Sequence, residues 1–144
     1  MTTFTLNLGA LRVAEQRMHH VVEAAAVLLR DAVVETMDPG PPRTGEEYPI
    51  PGTSNATYTA SAPGEPPAIR EGIYRDSWQF SPAVPQGDVI RARAFTALTT
   101  EDGKHLLGEI LEFGTHKMAP RPHVRPAMET ARPAVAELVQ RASA

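Results

Sequence analysis

The sequence predicts an α+β fold: a long N-terminal helix and a C-terminal helix packed on a small antiparallel sheet, with a long Pro/Gly-rich extended arm. Three observations predict it. Apolar residues recur at three- and four-residue steps over 9–37 and again over 125–142, the spacing of one helical face. Residues 75–81 and 89–97 look like two strands: Trp78 and Phe80 lie two apart, and Ile90, Ala92, Ala94 and Thr96 fall on one side of the second. Between the first helix and these strands, residues 38–72 hold eight prolines and five glycines, too many for a regular element. At 144 residues this is one domain, 1–144, in three parts at 1–37, 38–72 and 73–144.

Residues 3–8 alternate well enough for a short strand. The helix over 9–37 carries Leu11, Met18, Val22, Ala25, Leu29, Ala32 and Met37 on its stripe, with Asn7 as N-cap and Asp38-Pro39-Gly40 as stop. About 28 residues at 1.5 Å each make about 42 Å, long for so small a domain. The stripe resembles a coiled-coil seam, so part of it is expected to pack on another chain. In the arm, Tyr48-Pro-Ile and Thr57-Tyr-Thr-Ala suit a hairpin turning at Ser54-Asn55. The arm is expected to order against a neighbour, because its prolines reduce the entropy lost on ordering. Strands at 75–81 and 89–97 flank a turn at 82–88. Of the second strand, Val89, Arg91, Arg93 and Phe95 face one way and Ile90, Ala92, Ala94 and Thr96 the other. Leu106, Leu107, Ile110 and Leu111 favour a short helix over 104–112. The last helix has Pro126 in its first turn, where proline is tolerated. Pro133 should kink it or move its start later.

Composition narrows the function classes. With 42% hydrophobic and 22% charged residues, the chain is of soluble globular type. No apolar run nears the roughly 18–20 residues of a membrane span. The opening Met-Thr-Thr-Phe-Thr-Leu-Asn lacks the basic-then-apolar order of a secretory signal. Zero cysteines exclude disulfides, cysteine-ligated zinc, iron–sulfur clusters and thiol catalysis, and suit a reducing cytoplasm or an assembly made there. A net charge of −3 argues against a general polyanion binder. Residues 116–125 nonetheless carry Lys117, Arg121, Arg125 and two histidines without an acid. Phosphate binding through so small a patch would be weak and salt-sensitive.

Residues of catalytic type form no coherent set. His19 and His20 are neighbours on a helix and point about 100° apart. Glu112, His116 and His123 could converge as carboxylate and imidazole ligands, but no His-Glu-x-x-His is present. Ser77 and Ser81 lack a Gly-x-Ser-x-Gly elbow. Gly64-Glu-Pro-Pro cannot cradle phosphate, because its prolines have no N–H to offer. Trp78 and Phe80 share a strand face, as a base-stacking platform would or, more simply, as core. No enzymatic activity, metal or cofactor is expected. The alternative class is a small nucleic-acid-binding module using Arg91, Arg93 and the basic 117–125 loop with Lys117, Arg121 and Arg125.

Two stretches discriminate further. Ala60-Ser-Ala-Pro-Gly-Glu-Pro-Pro-Ala68 is followed by Arg70-Glu-Gly-Ile-Tyr-Arg-Asp-Ser77. Leu111-Glu-Phe-Gly-Thr115 is followed by Ala119-Pro-Arg-Pro-His-Val-Arg-Pro-Ala127. In order and spacing these resemble the head–tail joining (neck and tail-completion) proteins of tailed bacteriophages of the lambdoid siphophage type. In that family an Ala-Pro-Gly-Glu-Pro-Pro loop leads through Thr-Gly-x-Leu-Arg-x-Ser into a strand. Leu-Glu-Phe-Gly-Thr then precedes Pro-Arg-Pro and a last helix opened by Arg-Pro-Ala. The likeness runs from about residue 60 to the C-terminus. Glu71 stands where the family has threonine, Ile73-Tyr74 replace Leu-Arg, and His123 stands where an aromatic is commoner.

The resemblance implies a non-enzymatic virion protein without cofactors, made in the bacterial host cytoplasm and located at the head–tail interface. It implies a homo-oligomeric ring, a hexamer, that joins the portal-side connector or stopper to tail-terminator or tail-tube proteins. DNA would pass through the lumen without sequence-specific binding, and no membrane is involved. On this reading Pro63, Gly64, Glu65, Pro66 and Pro67 brace the arm against an adjacent subunit. Phe113, Gly114, Thr115, Lys117, Pro120, Arg121, Pro122 and Arg125 shape a ring contact, with Arg121 bonding backbone carbonyls or a carboxylate.

Overall fold

The computed structural model describes residues 2–7, 12–38 and 40–143. In chain order the elements are β1 (Thr2–Asn7), α1 (Arg12–Met37), β2 (Glu47–Pro49), β3 (Thr57–Thr59), α2 (Ile73–Asp76), β4 (Gln79–Phe80), β5 (Val84–Gln86), β6 (Val89–Phe95), α3 (Leu107–Phe113) and α4 (Val124–Ser143). The fold is α+β, as the sequence predicts. The expected strand end at Leu8, the helix start at 9–11 and Pro39 of the stop lie outside the described residues. Asn7, read as a helix cap, instead ends β1 opposite Val89. No described helix is long and apolar enough to cross a membrane.

The main sheet is built on β6. β1 runs antiparallel along one edge, from Thr2 opposite Ala94 to Asn7 opposite Val89. Both β4 and β5 run antiparallel along the other edge, with Phe80 opposite Ala94 and Val84 opposite Arg91. They are one strand broken at Ser81-Pro82. There the Ser81 N–H donates to the Arg93 carbonyl (2.8 Å), and the Arg93 N–H donates to Ser81 Oγ (2.9 Å). The residues read as a turn, 82–88, therefore contain β5, and the true turn is Gly87-Asp88. An edge strand tolerates Pro82 and Pro85 because its outward side needs no ladder donor.

The segment read as a strand over 75–81 differs as well. Its start lies in α2, a single helical turn closed by the Asp76 N–H to Gly72 (2.9 Å) and the Ser77 N–H to Ile73 (3.0 Å). Ile73-Tyr74-Arg75-Asp76 is too short for any period to separate one helical turn from a strand. Here Arg75 settles the matter by reaching Asp38 at the end of α1 (2.7 Å). Trp78 and Phe80 are core, as the simpler reading had it.

α1, with 26 residues, lies across sheet and helix in succession. Val22 and Ala26 pack on Ile90 and Ala92 of β6. One turn on, Leu29 meets Ala94 and Ala131, and then Val33 and Met37 meet Trp78 and Ala127. As α1 advances from 29 to 33, α4 retreats from 131 to 127, so the two helices are antiparallel. Alanines at 26, 92, 94, 127 and 131 keep the layers close. The stripe expected to meet another chain is thus largely consumed within this one. Pro133 sits inside α4 without moving its start. The carbonyl it leaves without a donor belongs to exposed Glu129, where water can serve.

The closeness of these layers has a measurable consequence. Ala94, 2% exposed between Leu29 and Ala131, leaves no room for added methylenes. Ala94→Leu should destabilise the fold by about 1–3 kcal/mol, read as a lowered denaturant midpoint at unchanged slope.

Candidate functional site

The segment after α3 is shaped to reach the start of α4. α3 stops at Gly114, whose φ of 73° and ψ of −177° suit no other residue, and a Cβ there would lie 2.6 Å from the Met118 carbonyl. Thr115 and Met118 close a tight turn through their backbones, and Thr115 Oγ1 accepts from the N–H groups of Lys117 and Met118. Residues 119–122 then run back past α3, where the Arg121 N–H donates to the Leu111 carbonyl (2.6 Å).

This return brings Glu112 onto the N-terminus of α4. Its carboxylate accepts the N–H groups of His123 (2.8 Å), Val124 (2.9 Å) and Arg125 (3.0 Å). Pro126 has no N–H, and the Ala127 N–H closes the first turn on the His123 carbonyl. Every donor that a helix start leaves open is thereby satisfied or absent. The negative charge also sits at the positive end of the helix dipole. Burial works against that charge, but the hydrogen bonds from the His123 ring and from the three backbone groups outweigh it and hold the carboxyl at about 2, below its ordinary 4.5.

His123 is fully buried beside it. Its Nδ1 lies 2.8 Å from the Arg121 carbonyl and 3.1 Å from Glu112, two acceptors, so Nδ1 carries a proton. In the neutral ring Nε2 then accepts the Tyr74 hydroxyl (2.5 Å). Burial raises the pKa of that phenol. Tyr74, Trp78 and His123 stand edge to face, with centroids 5.5–6.3 Å apart. Glu112 and His123, read earlier as possible metal ligands with His116, do come together, but as a helix cap; His116 is exposed on the loop. Among the described residues no three His, Asp or Glu side chains are grouped to hold a metal.

The arm is an ordered hairpin. β2 and β3 pair antiparallel, with Tyr48 opposite Tyr58, and the expected turn at Ser54-Asn55 falls within the connecting loop. Its base is clamped twice. The Arg43 guanidinium donates to the Thr36 and Met37 carbonyls at the end of α1 (3.1 and 3.2 Å) and to the Pro67 carbonyl (2.9 Å). Glu65 accepts from the N–H of Thr44 (3.0 Å), the Thr44 hydroxyl (2.5 Å) and the N–H of Ala62 (2.8 Å), which draw its pKa down.

The residues singled out in the sequence fall in two groups, and the two meet. The Gly64 N–H donates to the Pro120 carbonyl (3.0 Å), and Arg121 Nε donates to Ser61 Oγ (2.9 Å). Arg121 also bonds the Ala119 and Pro120 carbonyls of its own loop. Pro67 is buried and Glu65 is engaged within the chain, whereas Pro63, Gly64, Phe113, Thr115, Lys117, Pro120 and Arg125 are exposed. Gly114, Pro66 and Pro122 are half-buried. Arg91 and Arg93 lie on the sheet face turned away from α1.

Sequence reasoning did not assign Glu112, Arg43 or Tyr74 these roles. One signal was present: a helix opening on Pro-His-Val-Arg-Pro has no Ser, Thr, Asp or Asn to cap it, so an acceptor must come from elsewhere. Beside the cap, α3, the end of β6 and α4 enclose a groove of about 480 Å³. Phe113 and Leu106 stand on its rim, 68% and 39% exposed. No protein family, curated protein or solved structure matches the chain.

Two outcomes follow from the caps. Glu112 is depressed in the folded chain, so its contribution is complete above about 4.5 and is lost as pH falls towards about 2. Acid unfolding of the native chain should show that limb, and Glu112→Gln should flatten it while costing about 1–3 kcal/mol at neutral pH. Glu65→Ala should leave the thermal midpoint of the Trp78 signal nearly unchanged but speed amide exchange at Thr44 and Ala62, measured by hydrogen exchange.

Proposed function

We propose that this chain is a structural subunit of a tailed-phage neck, forming a ring that joins the DNA-filled head to the tail and leaves a channel for DNA. It acts by assembly, not by chemistry. Its partners are further copies of itself, the connector or stopper on the portal side, and tail-terminator or tail-tube proteins. The observation that carries the reading is the bond pair Gly64–Pro120 and Arg121–Ser61. The two stretches that resemble neck proteins lie about fifty residues apart in sequence, yet they build one joint at the base of an exposed hairpin. A domain that devotes this much fixed geometry to presenting an arm suits a rigid assembly better than a free module. Arg121, the centre of the basic loop, is occupied by carbonyls and Ser61, which favours the structural role over phosphate binding.

Imaging of assembled particles tests this directly. The subunit is expected between head and tail as a closed ring with rotational symmetry. A position in the capsid shell or at the tail tip would sink the reading.

A further inference from the structure

We propose that the open edge of the main sheet pairs with itself: β1 of one copy lies antiparallel beside β1 of a second, with Thr5 on the two-fold axis. The side to which each residue of β6 bonds can be read from Arg93. Its N–H and its carbonyl both turn to Ser81, on the β4–β5 side. Successive residues of a strand bond to opposite sides, so Ile90, Ala92 and Ala94 turn to β1. Their partners Leu6, Phe4 and Thr2 therefore bond inwards. Thr3, Thr5 and Asn7 point their N–H and carbonyl groups the other way. β1 is the end strand of the sheet, and among the described residues no further strand lies beside it.

Such an edge is a template for another strand, and chains that stay single blunt it with charge, proline or a bulge. The opposite edge is blunted. It carries Pro82 and Pro85, and its Ala83 N–H is taken by Glu23 of α1 (3.2 Å). β1 has none of these devices: Thr2–Asn7 is uncharged and free of proline and glycine.

The outward groups also select the strand that fits. In the hairpin, Ala60 turns its N–H and carbonyl to β2, so by alternation only Thr57 and Thr59 of β3 face out. β2 offers Glu47 and Pro49, and the proline has no N–H. Neither edge can answer the three outward residues of β1. A second β1 can. With Thr5 facing Thr5, Thr3 faces Asn7 of the second copy and Asn7 faces its Thr3, so every outward N–H meets an outward carbonyl in about six hydrogen bonds. A slip by one residue sets outward groups against inward ones. A slip by two leaves an end unpaired. Because β1 is uncharged, no facing pair repels. The contact is isologous and closes at two copies. It goes beyond the ring reading and is independent of it, since a contact that closes at two does not build a larger ring.

The chain has no cysteine, so single thiols report this register without background. Facing residues of a hydrogen-bonded antiparallel pair have Cα atoms about 5.5 Å apart, within disulfide reach. Thr5→Cys, oxidised at about 1 mM chain so that even a millimolar contact is populated, should give a covalent dimer and nothing longer. Thr3→Cys and Asn7→Cys alone should each dimerise about tenfold more slowly, because like residues then stand about 13 Å apart along the strands. Their mixture should join position 3 to position 7. Thr5→Pro removes an outward donor and leaves the β6 ladder intact. It should shift the sedimentation of the unlinked chain severalfold towards monomer, with Trp78 emission unchanged. A chain that stays monomeric at that concentration, equal cross-linking at all three positions, or a dimer untouched by Thr5→Pro overturns the proposal. The ring reading fails separately: a dimer in this register, with the subunit imaged away from the neck, removes the ring alone. A neck ring whose free chain gives no Thr5→Cys dimer removes the edge contact alone.

Discussion

The constraint on which much of this fold depends is the meeting of the Glu112 carboxylate with the bare N-terminus of α4. Three backbone donors, a buried imidazole and the helix dipole all point at one place, and no residue of α4 itself can answer them. Glu112 can do so only because Gly114 turns the chain sharply and 119–122 run back beside α3. That return places Arg121 against Ser61 and Pro120 against Gly64, which sets where the arm leaves the body. A depressed carboxyl, a left-handed glycine and the base of a hairpin are therefore one mechanical unit, with charge at its centre.

The end of α1 is completed in the same manner with opposite sign. Its last four carbonyls are taken by the Asp38 N–H, the Gly40 N–H and the Arg43 guanidinium, which in turn holds Pro67. The cation sits where the helix dipole is negative. The start of α4 and the end of α1 are thus both completed by side chains from outside the helix, Glu112 from α3 and Arg43 from the base of the arm, and the residues after α3 bond the arm at Gly64 and Ser61. The arm is in effect a continuation of the helix termini.

The sequence made the helices legible because their apolar periods are long enough to exclude other readings, and the Tyr48/Tyr58 hairpin because β-formers flank turn residues. The inward set of β6, Ile90, Ala92 and Ala94, followed from strict alternation. Residues 73–88 were not legible in the same way. Four residues cannot separate a helical turn from a strand, and Pro82 and Pro85 read as a turn because an edge position cannot be seen in one strand alone. Glu112 was visible only as a titratable residue near two histidines. Its capping role depends on a chain reversal that no local pattern encodes, while the need for it was written in the uncapped Pro-His-Val-Arg-Pro opening. Arg43 was hidden for the same reason, since its partners lie on α1 and at Pro67.

The single tryptophan stands at this junction, edge-on to Tyr74 and His123, with its Nε1–H lacking a hydrogen-bond partner among the described residues. Light emitted by Trp78 therefore comes from the place where α3, α4 and α1 are tied together. The junction thus carries its own optical label, and its emission follows loss of the helix packing without any dye.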